Sequence, residues 1–330
     1  MIKVYDELLH LVLVVDNYNS FSYTTDFTQS KAFKLKLPFV EDFAKHIKPN
    51  CFLLYNGYMG VVQTMEISSQ SGIESILVAG YDLKSLLGRR MIKDTVTFSG
   101  NTETFLRKVV NENCIVTEEN RIIPFMQLGK TTGISTQLHL QVSYQNLLDT
   151  LSSVCAESGI GFDVVFDEIA KQFYFTALMP KQTTKVFSYE FENVMSQFWL
   201  RSNCEYANVA YVAGEGDGEQ RKKVTVGGSA GLNRFEIFVD AREIQSSDGI
   251  TEQQYLNLLA YKGDEQLSLR RFVDSFECDV IADDLAVGEV VTLQSKDWGI
   301  TAKAMVSRIE TVIEHTGTTK VAYFGDTIRL

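Results

Sequence analysis

A chain of 330 residues, 45% hydrophobic and 22% charged, is too long for one ordinary core and long enough for two or three modules, each with its own interior. The formal net charge of −11 argues against a surface that grips nucleic-acid phosphates, which needs Lys and Arg. Cys51, Cys114, Cys155, Cys204 and Cys278 are scattered, odd in number and without C-x-x-C spacing, so neither a disulfide framework nor a zinc knuckle is expected and a reducing cytoplasm fits.

The first long apolar run, Leu8 to Val15, is about half of what a bilayer span needs and follows Asp6 and Glu7 instead of a basic segment, so it reads as a buried strand. Phe33, Leu35 and Leu37 alternate with Lys34 and Lys36, the period of a strand with one buried face. Further strands are expected over Cys51–Tyr55, Gly60–Ile67 and Ile73–Ala79, with Asn56-Gly57 and Ser71-Gly72 as turns. A short helix should run from Asp82, as N-cap, to Leu87, with Gly88 ending it. Residues 1–97 thus read as barrel or sandwich material.

From residue 98 the period changes. Phe105, Leu106, Val109 and Val110 share a helical face after Asn101, and Leu147, Leu148, Leu151, Val154 and Cys155 do so after Ser143, with Gly159 as a stop. A hairpin pairing Phe162–Phe166 with Phe173–Ala177 completes a small α/β domain over residues 98–180. Strand patterns return at Lys185–Tyr189, Tyr206–Ala213, Lys223–Val226, Phe235–Val239 and Phe272–Ile281, followed by three strands at the C-terminus. One helix interrupts them, opened by the capping box of Thr251 with Gln254 and ended at Gly263. Gly60–Ile67 before Ile76–Gly80 echoes Ala304–Thr311 before Val321–Gly325, although any two hairpins carrying a Glu would look alike.

Few residues point to chemistry. Gly227-Gly228-Ser229-Ala230-Gly231 matches the G-x-S-x-G elbow of a serine hydrolase, but a strand, Phe235–Val239, follows where a helix belongs, and the only downstream histidine is His315. Gly214-Glu215-Gly216-Asp217-Gly218-Glu219 has the glycines of a phosphate cradle, but its acids would repel phosphate, and the ligand spacing of a calcium loop is missing. His10, His46, His139 and His315 lack metal-site spacing, and Asp163 with Asp167 and Asp283-Asp284 read as exposed turn acids. No catalytic, cofactor or metal residue is therefore expected, and Glu215, Asp217 and Glu219 remain as an acidic loop that could face a pore.

Five segments in order carry a family resemblance: Ser20–Pro38, Glu205–Gly216, Arg234–Glu243, Tyr261–Leu267, and the closing run from Asp284–Val291 through Tyr323-Phe324-Gly325. Together they resemble the Gp37-like baseplate hubs of siphophage tail tips. The resemblance implies a non-enzymatic α+β, mostly β protein: two tube-type β-barrel domains with an intervening small α/β domain and a helical insertion. The first barrel would be residues 1–97, and the second 181–330 with an inserted segment at about 229–270. It also implies a homotrimeric ring in the virion tail tip, assembled in the host cytoplasm, which mates with the hexameric tail tube and gates DNA passage. Expected partners are the distal tail protein, the tail tube and tape measure, and downstream fibre or receptor-binding proteins, with no cofactor, no specific nucleic-acid binding and no membrane insertion. Related hubs often continue into a cell-wall hydrolase, and the stop five residues beyond Gly325 leads to the expectation that no lytic domain is present. The rival readings are a serine hydrolase using Ser229 and His315, and a monomeric carbohydrate-binding tail-tip module.

Overall fold

The computed structural model describes residues 1–246, 250–280 and 284–329; the side chains of residues 219, 275–279 and 326–329 lie outside the description. Seven strands open the chain: β1 (Ile2–Tyr5), β2 (Leu11–Val15), β3 (Ser20–Asp26), β4 (Ala32–Pro38), β5 (Phe52–Tyr55), β6 (Tyr58–Gln70) and β7 (Ile73–Asp82). In β4, Phe33, Leu35 and Leu37 are buried while Lys34 and Lys36 face water, as their alternation predicts. Asn56 and Gly57 adopt φ of 45° and 84°, and Ser71 and Gly72 adopt 53° and 79°, so both hairpins close through two left-handed residues.

These strands belong to an 11-stranded ladder in which Lys181–Phe187, Glu289–Ser295, Ile300–Glu314, β3, β4, β7, β6, β5, β1 and β2 follow one another, with Gly317–Arg329 paired to Ile300–Glu314. The two ends of the chain meet where β3 runs antiparallel to Ile300–Glu314, with Ser20 opposite Glu314 and Asp26 opposite Arg308. Among the described residues this ladder does not close into a barrel; the chain is a mostly β, α+β protein. The expected buried strand at Leu8–Val15 is corrected. Pairing covers only Leu11–Val15, and only Val15 in it is buried, because β2 pairs with β1 alone and forms the rim of the ladder.

Among the described residues four apolar clusters form the interior. Ile2, Val4, Phe21, Phe33, Leu35 and Leu53 form one, into which Phe43 of the short helix Glu41–His46 inserts. Phe52 and Leu54 point the other way, into a second cluster with Phe105, Leu151, Phe162 and Phe175. The run Phe52-Leu53-Leu54 is continuous in sequence for that reason, since its strand is covered on both faces. A third cluster packs Phe187, Val194, Val291, Leu293, Ile300 and Val306. The fourth lies between the strands Val209–Ala213, Lys223–Gly227 and Glu236–Asp240 and the helix Glu252–Ser268.

Local signals fix the helices. Asn101 accepts from Thr104 N at 3.1 Å and starts the helix Thr102–Val110. The next helix, Leu147–Ser158, begins later than Ser143 suggests, because Gln145–Asn146 first pairs with Met91–Ile92, and Asn146 then caps it. It ends at Gly159 with φ of 65°. The segment after Asp82 is a tighter 3-10 turn, Leu83–Arg89. Thr251 and Gln254 form the capping box, but the helix continues through Gly263 to Ser268. A Cβ at Gly263 would lie 2.7 Å from Val226 Cγ2 and 2.8 Å from Val212 Cγ2, so this glycine lets the helix approach the sheet and does not stop it. The ribbon pairing Val194–Ser202 with Val273–Val280 has a first strand that the sequence pattern did not reveal.

Candidate functional site

The acidic loop joins Val209–Ala213 to Lys223–Gly227 and is tied down by cations and a tyrosine. Tyr255 Oη accepts from Glu215 N at 2.9 Å, and Arg221 donates to the carbonyls of Gly214 (2.8 Å) and Ala213 (2.5 Å) and to Asp240 Oδ1 (2.7 Å). The Glu215 carboxylate accepts from the Ser246 hydroxyl, and Asp217 is exposed. The Glu219 side chain lies outside the described residues. Hydrogen bonds from Arg242 and Arg221 hold the Asp240 carboxyl well below the usual range, so the loop sits in a mixed neighbourhood of both signs.

The structure gives Ser229 and His315 different surroundings. The Ser229 carbonyl accepts from Arg234 Nη1 at 2.8 Å, and the turn Gly231–Asn233 leads directly into Glu236–Asp240, so the strand-turn-helix context of a nucleophile elbow is missing. His315 is exposed in the turn between Ile300–Glu314 and Gly317–Arg329. Among the described residues no hydrogen bond joins Ser229 to a histidine, and no group of three or more His, Cys, Asp or Glu could hold a metal ion. Replacing either residue with Ala should cost less than about 0.5 kcal/mol, read as a near-unchanged urea midpoint. A larger loss at Ser229→Ala would mean that the side chain, and not only its carbonyl, holds the loop.

A cluster of buried polar side chains lies elsewhere, where β7, the strand Gly161–Asp167 and the strand Ile300–Glu314 converge on a cavity of about 400 Å³. Asp82 and Lys84 are almost completely buried, 7% and 3% exposed. Asp82 stands at the N-cap position of the turn after it, as expected, but its side chain makes no capping hydrogen bond and accepts instead from Ser30 Oγ at 2.5 Å and from Lys31 N at 3.3 Å. Lys84 Nζ donates to the carbonyls of Asp26 and of Gln29, the latter at 3.1 Å, and lies 5.3 Å over the Phe162 ring. Asp163 is corrected. It lies within a strand and not in a turn, accepts from Val164 N at 2.8 Å and faces the same cavity, whereas Asp167 accepts from Ile169 N and Ala170 N as a turn acid does. Of the other acidic pair, Asp283 lies outside the described residues and Asp284 is exposed 3.5 Å from Lys185.

Burial raises the Asp82 carboxyl to about 6 and lifts Asp163 above its ordinary range, with Lys84 opposing both. Tyr58, stacked on Tyr23 at 4.2 Å, has a buried hydroxyl without a hydrogen-bond partner. Sequence reading missed this cluster because its members come from segments some 80 residues apart, from Asp82 to Asp163. The one local hint was an acid at position 163, between Phe162 and Val164, in a strand whose alternate residues are buried.

A family model described as Siphovirus ReqiPepy6 Gp37-like protein matches residues 1–326. The chain belongs to this family. Three crystal structures of tail proteins share the fold of this Gp37-like chain at 12% identity each. Prophage tail protein gp18 from Listeria monocytogenes EGD-e aligns with a TM-score of 0.62, over 98% of this chain and 94% of its own. The 43 kDa tail protein of prophage MuSo2 from Shewanella oneidensis aligns at 0.60, over 98% of each chain. The tail protein from Neisseria meningitidis MC58 aligns at 0.57, over 98% of this chain and 97% of its own. No curated protein matches the chain by sequence. Among the described residues no helix is long and apolar enough to cross a membrane.

Proposed function

We propose that the chain is a structural hub of the phage tail tip, three copies of which form a ring that continues the tail tube and carries distal components. The observation that carries this reading is the junction of β3 with Ile300–Glu314, which sets the amino-terminal and carboxy-terminal strand groups side by side in one ladder. In a three-fold ring each subunit would then offer two related strand groups, and six could face a six-fold tube. Within this reading residues 1–97 and the carboxy-terminal strands complete two tube-type barrels, residues 98–180 form the domain between them, and partners are the tube, tape measure, distal tail protein and fibre or receptor-binding proteins. Opening would be a shift between two packings of the ring when receptor engagement strains it.

The deciding measurement is mass in solution across a range of concentrations, followed by negative-stain imaging of any oligomer. A three-fold ring is expected, favoured at high concentration because ring contacts strengthen by mass action. A stable two-fold dimer would overturn the hub.

In the same ring Glu215, Asp217 and Glu219 would face the passage. Their conversion to Lys should slow DNA ejection at low salt and less at high salt, because the added attraction to phosphate is screened. An ejection rate unchanged at every ionic strength would place the loop outside the passage.

A further inference from the structure

The cavity beside Asp82 and Asp163 has the chemistry of a binding site. Its charged lining combines the carboxylates of Asp26, Asp82 and Asp163 with the ammonium groups of Lys84 and Lys320; Lys84 Nζ already serves the carbonyls of Asp26 and Gln29, and the Asp26 carboxylate accepts from Thr28 N and Gln29 N and lies 3.5 Å from Lys31 Nζ, which leaves Asp82 and Asp163 facing the cavity. Among the described residues Asp163 takes a single hydrogen bond, from the backbone of its neighbour Val164. The Tyr58 hydroxyl is shut away from solvent yet paired with nothing, a state that costs free energy unless something else satisfies it. Its ring and that of Tyr23 add aromatic surface to the same wall. Leu83, Val164 and Ile309 supply apolar lining of the same cavity.

We propose that this cavity binds an alkylammonium group, with the charged head between Asp163, Asp82 and the Tyr58 hydroxyl and the methylenes against Leu83, Val164 and Ile309. An ammonium carries three donors and no acceptor, so it fits a site whose open positions are a carboxylate and a phenol oxygen. Tyrosine rings attract such a cation through their faces, and its stem packs on apolar side chains as lysine stems do. The shared chemistry has two sources: a free amine, or a lysine side chain of a neighbouring tail protein. Because the cavity is walled by β3, β7, the strand Gly161–Asp167 and the strand Ile300–Glu314, its occupant would bridge the strands from both ends of the chain and the middle segment.

The test is thermal unfolding of the full chain at pH 8 with n-butylammonium chloride, 1-butanol as the neutral analogue, and sodium chloride at matched ionic strength. At about ten times the Kd, butylammonium should raise Tm by about 2 °C while the alcohol and the salt do not. Tyr58→Phe, which removes only the hydroxyl, should weaken binding about tenfold, and Asp163→Asn should abolish it, each variant being compared with its own ligand-free Tm. Nα-acetyl-lysine amide separates the two sources: binding equal to butylammonium supports a lysine side chain, and binding by butylammonium alone supports a free amine. Equal shifts from alcohol and ammonium, no shift in the wild type, or a shift that survives in both variants would overturn the proposal.

Discussion

Replacing Gly80 with Ala should destabilise the amino-terminal strands by about 3 kcal/mol or more, and the same change at Gly60 should cost clearly less. Gly80 lies opposite Phe33 of β4 on one side and Val62 of β6 on the other. A Cβ there would stand 1.9 Å from Val61 O, 2.9 Å from Val61 C and 2.8 Å from Phe33 Cε1. The first two are backbone atoms held by the ladder, so the strands themselves would have to separate. At Gly60 the nearest atoms are Phe33 Cε1 and Cδ1, at 2.5 and 2.6 Å, and both belong to one side chain. That ring can turn at the expense of packing, whereas a carbonyl in a β-ladder cannot. Phe33 thus covers two glycines on neighbouring strands, which compensates for their missing side chains. Urea denaturation of both variants, with hydrogen exchange read on β6 and β7, checks the order. If Gly60→Ala costs as much as Gly80→Ala, the backbone approach is not the controlling contact.

What was legible in the sequence depended on how local the cause is. The alternation of Phe33, Leu35 and Leu37 is visible because β4 buries one face only. The Asn101 cap, the Thr251–Gln254 box and the Asn56-Gly57 turn are visible because each is settled within four residues. Leu8–Val15 misleads because an apolar run does not say whether a second strand will cover it, and β2 has a neighbour on one side only. Gly263 misleads for a related reason: a glycine that ends a helix and one that lets a helix touch a sheet look the same until Val212 and Val226 are in place. The strand Val194–Ser202 carries exposed Met195, Phe198 and Leu200, so no inward period marks it. Most of the candidate site was illegible, since the burial of Asp82 and Lys84 and the approach of half-buried Asp163 are properties of their convergence and not of any one segment.

Lys84→Met should destabilise the chain by about 3–5 kcal/mol at pH 8 and by distinctly less at pH 5. Methionine keeps the stem's volume but removes the ammonium, so the carbonyls of Asp26 and Gln29 lose a donor, and Asp82 and Asp163 lose the nearby positive charge that lowers both. In the wild type Asp82 already titrates at about 6, above its ordinary 3.8, so the native state holds a proton that the unfolded chain has released. Stability from a carboxyl raised in this way is highest below the unfolded value and falls as pH rises through the folded one. Removing Lys84 extends that falling window upward, because its attraction is the largest of the influences that lower the two carboxyls, ahead of the hydrogen bonds from Ser30 and Lys31 to Asp82 and from Val164 to Asp163. At pH 5 Asp82 is mostly protonated with or without Lys84, and the difference shrinks to the lost carbonyl bonds. Urea midpoints of wild type and variant at pH 5, 6, 7 and 8 should therefore diverge steadily with pH. A gap of constant size would mean that Lys84 acts through its backbone hydrogen bonds and packing alone, and that the two acids are not electrostatically coupled to it.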